Sequence, residues 1–390
     1  MKIRSIEKGE FPRLLDLIRE AFTHYGKEPV PEYGKLHEET FHEVYARTDL
    51  DPELIIVAED DGRFVSMCSL LPKRLRFAGK ELMTAVLSPV GTLPGYRGQG
   101  LAEQVISFAL ERAKEKGYAL SHVLGHPTYY PRVGYVPVFP FHDVEMTAGT
   151  ADGSRAASSR LAAASDLPQL MALYEGEHRR HLMNPVRTIE WWQRELLPTV
   201  GTRHSFAVKD PADFRVFTVG EAVIGYANLA EGQDALLLSE CSLAASEHAE
   251  AVWHALLLEA ERRQKPTLKG PYKNLPRLAA YLRLRGAKEI SFAPSAWMMQ
   301  VLDWETVLTA FASHACLASV SGVPLQLAYK DGALHAVWGD RVSQTAMSPA
   351  VLTQLMMGTF APEELVKADE LLALIFKKDL PYFNHNETLQ

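Results

Sequence analysis

The sequence predicts an α+β fold in which two similar units are followed by a smaller third unit. In residues 1–147, short apolar runs that end at turn residues alternate with amphipathic helical stretches. A similar order of strands and helices returns in residues 160–296. A separate hairpin pattern and a capped helix occupy residues 297–390.

The composition limits the classes of function. The 390 residues are 47% hydrophobic and 23% charged, which is typical of a soluble globular chain with more than one core. No run approaches the roughly 18 apolar residues that span a bilayer, and the start does not read as a signal peptide, so a cytoplasmic protein is expected. The net charge of −7, without a Lys/Arg run, disfavours nucleic acid and suits a cationic substrate. Cys68, Cys241 and Cys316 lack metal-binding spacing, so no metal is expected.

The first unit begins with a strand at residues 3–6 and a helix whose apolar face includes Phe11 and Phe22. An antiparallel meander follows, with strands at 54–58, 64–71, 74–77 and 80–90. The period then changes to that of a helix between Leu101 and Ala113, which is followed by a strand at 118–124.

An internal repeat follows a linker of small polar residues at 148–159. Residues 159–170 repeat the strand, acidic turn, proline and helix of residues 3–14. A hairpin of 206–208 with 222–229, a strand at 235–243 and a helix at 249–263 continue the second copy. The last unit has a hairpin of 325–330 with 333–338 and a helix capped at Ser348-Pro349.

The segment with the clearest chemistry runs from Leu87 to Ala102. A strand leads into a Pro-Gly bend, and Arg97-Gly98-Gln99-Gly100 opens directly into a helix. Free N–H groups and the helix dipole attract an anion at such a start, and the two glycines let a diphosphate approach the backbone. Arg97 adds a permanent positive charge. Glycine at a helix start also serves ordinary tight turns, so the motif alone leaves a purely structural role open.

A second segment follows the next strand and reads Gly125-His126-Pro127-Thr128-Tyr129-Tyr130-Pro131-Arg132-Val133-Gly134-Tyr135. Together the two segments resemble the GNAT acetyltransferase family. The resemblance implies two splayed parallel strands with the pantetheine of acetyl-CoA between them. Val90 and Thr92 would present backbone groups to the thioester and pantetheine, and Arg97, Gly98 and Gly100 would hold the pyrophosphate. The rest of the implied cofactor loop is Gly91, Gln99, Leu101 and Ala102.

The whole layout resembles the bacterial enhanced-intracellular-survival acetyltransferases, which acetylate amines including aminoglycosides. This implies a catalytic GNAT domain (1–147), a linker (148–159), a degenerate GNAT-like domain with a mixed, splayed sheet (160–296) and a small sterol-carrier-like α+β domain (297–390). It also implies a homo-oligomer, often a hexamer. Tyr130 falls at the position of the general acid, and the family's general base is the carboxylate of the last residue, here Gln390.

The sequence departs from this pattern in three places. Residues 242–249 of the second copy lack the arginine and both glycines, so that copy should not bind CoA. The last unit has few predicted strands for a lipid carrier, which makes lipid carriage doubtful. The polar end of the chain differs from that of the aminoglycoside-modifying members, which puts the base and that substrate class in question.

Several alternatives remain open at this stage. Tyr130 could serve packing only, and Tyr129 is a rival proton donor. His122 and His126 could titrate near neutrality or be structural. The acidic stretch 37–43 could line an amine-binding cleft or form a solvated helix face.

The function predicted is therefore an acetyl-CoA-dependent N-acetyltransferase that transfers acetyl directly to a primary amine of a small cationic acceptor. That acceptor would resemble an aminoglycoside, a polyamine or lysine, and the sequence does not separate acetyl from a longer acyl chain. The alternative is a non-catalytic acyl-CoA or lipid-binding protein.

Overall fold

The computed structural model describes residues 1–47, 50–138, 141–179, 181–196, 213–292, 296–313, 323–358 and 362–376. It has the mixed α+β architecture that the sequence predicts. The described residues fall into two compact units, one of residues 1–138 with 296–376 and the other of residues 141–292. No helix in these ranges is long and apolar enough to cross a membrane.

The strands, numbered in chain order, are β1 (Lys2–Ser5), β2 (Ile55–Asp60), β3 (Arg63–Phe77), β4 (Lys80–Thr92), β5 (Leu120–Leu124), β6 (Val136–Pro137), β7 (Phe141–Thr147), β8 (Ser158–Leu161), β9 (Met183–Pro185), β10 (Asp213–Val219), β11 (Ala222–Glu231), β12 (Ala235–Leu243), β13 (Thr267–Pro271), β14 (Lys288–Phe292), β15 (Trp297–Val301), β16 (Leu325–Lys330), β17 (Ala333–Trp338) and β18 (Arg341–Ala346).

The α-helices are α1 (Phe11–Thr23), α2 (Pro31–Arg47), α3 (Leu101–Glu115), α4 (Leu167–His178), α5 (Ile189–Leu196), α6 (Ala249–Arg262), α7 (Pro276–Leu284), α8 (Trp304–Ala312), α9 (Pro349–Met356), α10 (Pro362–Leu365) and α11 (Glu370–Ile375).

The main sheet of the first unit has the strand order β1-β2-β3-β4-β5-β15-β6. Its β1-to-β4 part is the predicted antiparallel meander, whereas β4 and β5 pair in parallel. The structure has one continuous β3 where the sequence suggests two shorter strands. Helices α1 and α3 pack on the sheet through their apolar faces. Residues of these faces, including Leu14, Ile18, Val105 and Ala109, are therefore fully buried.

Two strands pair elsewhere than their positions along the chain suggest. Strand β15 lies between β5 and β6 in the first unit, although the sequence assigns its residues to a third unit. Strand β7, assigned from sequence to the first unit, pairs with β13 and β14 of the second unit. Alternating apolar residues mark a strand but do not specify its partner, since the partner is chosen by packing. The predicted domain boundaries stay a prediction.

The sheet of the second unit has the order β14-β7-β13-β12-β11-β10-β8. The hairpin partner of β11 is β10, whereas the strand predicted at 206–208 lies outside the described residues. Strand β12 and helix α6 match their predicted ranges closely. Strands β16, β17 and β18 form a small antiparallel sheet in the first unit, which includes the predicted hairpin.

An ion pair is fully buried in the second unit. Arg187 donates two hydrogen bonds, of 2.8 and 2.5 Å, to the Glu240 carboxylate, and the Tyr226 hydroxyl donates to the same group. The two charged side chains are 2% and 1% exposed. Burial raises the pKa of Glu240, but the adjacent Arg187 outweighs this and lowers that pKa to about 2. The carboxylate is therefore charged in the folded protein.

We expect Glu240→Leu to lower the free energy of unfolding of the second unit by about 3–5 kcal/mol, because it removes the carboxylate that accepts two hydrogen bonds from a buried guanidinium. The double variant Arg187→Met/Glu240→Leu should recover much of the loss. Urea unfolding measures the free energy of unfolding of both variants. Arg112→Ala is the control, because the ion pair of Arg112 with Glu115 is exposed. A loss below about 1 kcal/mol, the range of exposed pairs, would contradict this account.

Candidate active site at the open edge of β4

The two central parallel strands of the first unit separate at their carboxyl ends. They pair only from Thr84 to Val86 on β4 and from Leu120 to His122 on β5. Beyond that point β4 stays on β3 as far as Thr92, whereas β5 stays on β15. Among the described strands, the side of β4 that faced β5 therefore has no backbone partner after Val86. Unpaired N–H and C=O groups at a strand edge can bind an extended ligand as a further strand would.

The start of α3 lies directly after this open edge. Gly98 and Gly100 have φ angles of +75° and +73°, in the left-handed region that residues with a side chain rarely adopt. A Cβ added at Gly98 would meet no atom within 4 Å, so the glycine is required by the backbone conformation rather than by space. No side chain in the described part of the chain caps the helix at Gly100, so its first N–H groups remain available to an anion.

The open edge and the helix start line one cleft of about 630 Å³. The predicted cofactor residues that line it are Val90, Gly91, Thr92, Arg97, Gly98, Gly100, Leu101 and Ala102. Gln99 is not among the lining residues, and its side-chain amide donates to the Gly95 carbonyl at 3.2 Å. The sequence thus predicted residues that lie together, and their binding roles stay predictions.

The side chain of Arg97 is held by the fold. Its guanidinium donates to the carbonyl oxygens of Thr92 (3.0 Å), His24 (2.7 Å) and Ala21 (3.0 Å). These bonds fasten the loop before α3 to the end of α1. Arginine has five N–H donors, so this anchoring leaves it only part of its capacity for a ligand.

A second arginine lines the cleft, and the sequence interpretation missed it. Arg132 is 66% exposed, and its nearest carboxylate is that of Glu103, 3.6 Å away. An ion pair this long and exposed contributes little, so the guanidinium is available to an anionic ligand. Its position two residues after Tyr130 is the feature of the sequence that could have identified it as part of the site.

Tyr129 and Tyr130 lie side by side with their ring centroids 5.1 Å apart, but they face differently. Tyr129 lines the cleft, and its hydroxyl is buried with no hydrogen-bond partner among the described residues. Tyr130 is not a lining residue. Its ring packs over Gly125, where an added Cβ would lie 2.1 Å from the Tyr130 Cε2 atom.

Burial raises the pKa of both phenols, that of Tyr129 to about 12. The neighbouring phenols of Tyr129 and Tyr25 raise the pKa of Tyr130 further. Both side chains therefore keep their proton at neutral pH and can donate it.

The remaining candidates have structural surroundings. His122 is 2% exposed on β5, and burial, with a smaller contribution from Lys73, lowers its pKa to about 3, so it is neutral at pH 7. His126 is exposed, and its ring nitrogen lies 3.0 Å from the Thr128 hydroxyl. In the acidic stretch, Glu38 and Glu39 pair with Arg19 and Lys35, and no residue of 37–43 lines the cleft. The solvated helix face is therefore the better interpretation of that stretch.

Three further predictions concern other parts of the chain. Gln390, the predicted source of the base, lies outside the described residues. The described part of the chain holds no cluster of three or more His, Cys, Asp or Glu side chains placed to bind a metal. In the second copy, the helix start at Ser246–His248 has no left-handed glycine, in keeping with its loss of the motif.

Part of the first unit matches a known family model. Residues 2–138 match the family model of the acetyltransferase (GNAT) domain. This match bears out the predicted GNAT resemblance over these residues and supports an acyltransferase. It covers the open edge of β4, the start of α3 and both tyrosines.

A curated relative and two solved structures are similar to this chain. The uncharacterized N-acetyltransferase YjhQ of Escherichia coli K12 is 33% identical over 88 residues, 22% of this chain and 48% of that protein. The chain spans about half the length of the curated relatives it matches. A conserved Enterococcus faecalis protein of unknown function has a TM-score of 0.67 at 15% identity, with 97% of each chain covered. Eis1 from Mycobacterium abscessus has a TM-score of 0.64 at 16% identity, with 99% of each chain covered. The two structures show that the fold is shared over nearly the whole length.

We expect Arg132→Ala to weaken CoA binding about tenfold, because one charge-assisted contact to phosphate is lost. The melting temperature should not change, since the side chain is exposed. Arg97→Ala should lower both the affinity for CoA and the melting temperature, because it also releases the loop from α1. Calorimetric titration with CoA and thermal unfolding measure the two effects, and Arg112→Ala on α3 is the control outside the cleft. An Arg132→Ala variant that binds CoA like the parent protein would contradict the assignment.

Proposed function

We propose that this chain is an acetyl-CoA-dependent N-acetyltransferase that transfers acetyl to a primary amine of a small cationic acceptor. The observation that supports this most directly is a single cleft that joins the open edge of β4 to an uncapped helix start with two left-handed glycines. The GNAT match over residues 2–138 favours an enzyme over a non-catalytic acyl-CoA or lipid-binding protein.

The proposed binding mode follows from the two ends of the cleft. The pyrophosphate of CoA would accept hydrogen bonds from N–H groups at the start of α3, with Arg132 and the spare donors of Arg97 supplying positive charge. The pantetheine would lie along β4 between Val90 and Thr92. Its amide groups would pair with the backbone groups that β5 leaves free.

The proposed reaction needs no covalent enzyme intermediate. The neutral amine nitrogen attacks the thioester carbonyl carbon, and backbone N–H groups of β4 stabilise the negative charge that develops on the oxygen. The carbon–sulfur bond then breaks, the sulfur takes a proton from a tyrosine, and a base takes one proton from the nitrogen. The products are an amide and CoA thiol.

Tyr130 is the proposed proton donor, as the family resemblance implies, and Tyr129 is its rival. Both phenols have a raised pKa, so either would be protonated at the start of each turnover. A thiol-release assay with acetyl-CoA and a panel of primary amines tests the proposed activity.

For the proton donor, we expect Tyr130→Phe to lower kcat about a hundredfold to ten-thousandfold, the range of general acid catalysis, with CoA affinity unchanged. Tyr129→Phe is the matched control and should change kcat by less than about tenfold. Steady-state thiol release and calorimetry with CoA provide the measurements. A larger loss of kcat in Tyr129→Phe than in Tyr130→Phe would make Tyr129 the proton donor. Normal rates in both variants would show that neither tyrosine donates the proton.

The base is proposed to be the main-chain carboxylate of Gln390. Removal of residues 384–390 should then reduce kcat severely, whereas Gln390→Ala, which keeps the carboxylate, should retain activity. Thiol release at fixed pH compares the two forms. A fully active truncated chain, or an equal loss in both variants, would rule this base out.

The family resemblance supports further proposals about the whole chain. We propose a cytoplasmic homo-oligomer that uses no nucleic acid or membrane partner. We also propose the three-domain division at 147/160 and 296/297, with a sterol-carrier-like last domain. The internal repeat supports the division, because both copies place a helix after a meander of strands.

A further inference from the structure

Four aromatic side chains form a continuous cluster at the end of α1 and the beginning of α2. The rings of Phe22 and His37 stack with their centroids 3.8 Å apart, and Tyr33 meets His37 edge-on at 4.5 Å. Tyr25 lies 6.3 Å from Phe22 and 6.0 Å from Tyr33. We call Phe22, Tyr25, Tyr33 and His37 the aromatic wall.

The aromatic wall reaches the point where the thioester is proposed to lie. Phe22 and Tyr25 both line the cleft. A Cβ added at Gly91 would lie 3.6 Å from the Phe22 Cε2 atom, so this ring contacts the open part of β4. Tyr25 also raises the pKa of Tyr130. An acceptor that reaches the thioester from this side therefore meets aromatic rings.

The aromatic wall is uncharged. Burial lowers the pKa of His37 to about 4, so its ring is neutral at pH 7. The carboxylates of Glu38 and Glu39 on α2 are paired with Arg19 and Lys35. Glu103 is the one carboxylate among the described residues that line the cleft, and it lies at the α3 side near Arg132. The described residues of these walls offer a polycation no set of matching carboxylates.

The exposed tyrosine of the wall has spare binding capacity. The Tyr25 side chain is 68% exposed, and its hydroxyl makes no hydrogen bond within the described part of the chain. Large exposed aromatic side chains at a cleft are typical of ligand contacts, because a ring offers apolar area, a π-face for a cation and a polar end.

We propose that the acceptor is an arylalkyl primary amine, whose ring stacks against Phe22 and Tyr25 while its amine approaches the thioester beside Gly91. This inference rests on the proposed function and narrows its substrate class to a monocation with an aromatic ring. Tyr25 sets specificity in this arrangement, since it contacts the ring and not the reacting atoms.

The test compares 2-phenylethylamine with hexylamine, spermidine and an aminoglycoside in the thiol-release assay. We expect 2-phenylethylamine to have the highest kcat/KM. Tyr25→Ala should raise its KM about tenfold more than that of hexylamine, with little change in kcat, because an aromatic contact contributes about that factor. Tyr25→Phe should restore the preference. Leu284→Ala is the control, because it truncates an apolar side chain on α7 that is 89% exposed. This variant should have no effect.

The outcomes separate this inference from the proposed function. Preferential use of spermidine or of the aminoglycoside would overturn the aromatic acceptor and leave the acetyltransferase standing. An equal effect of Tyr25→Ala on both simple amines would overturn it as well. If no amine releases thiol from acetyl-CoA, both proposals fail together.

Discussion

Backbone N–H and C=O groups that leave a sheet must find other partners, and in this protein β4 leaves β5 while still held by β3. Beyond His122, β5 continues along β15 to Leu124 and no longer pairs with β4. Among the described strands, this edge of β4 has no strand partner from Leu87 onward. The cleft, the helix start after it and the proposed chemistry all depend on this separation.

The connection from β4 to α3 preserves the opening. Two glycines in the left-handed region form the turn before α3, and the start of this helix lines the same cleft as the end of the strand. Arg97 ties this turn to the end of α1 through the carbonyl oxygens of Ala21 and His24, and to β4 through that of Thr92. A residue chosen from sequence as a ligand contact thus also maintains the shape of the site, and Arg132 adds a second exposed guanidinium that the fold does not anchor in this way.

The sequence predicted the features that are local in the chain. The meander, α3 and the glycine turn follow from periodicity and from residue types with strong backbone preferences, and the residues from Val90 to Ala102 follow from one motif. It could not predict contacts chosen by packing. Strand β15 joins the first sheet although its residues follow the second copy, and neighbouring Tyr129 and Tyr130 face different ways. The aromatic wall was missed for the same reason, since α1 and α2 come together only in the folded chain.

Hydrogen–deuterium exchange, with and without CoA, tests the central claim most directly, because it measures the backbone amides themselves. The account predicts that CoA slows exchange in the peptides covering residues 87–92 and 98–104, where the open edge and the helix start lie. The corresponding peptides of the second copy, at the end of β12 and the start of α6, should exchange at the same rate in both states. Equal exchange at 87–104 with and without saturating CoA, or protection confined to the second copy, would contradict it.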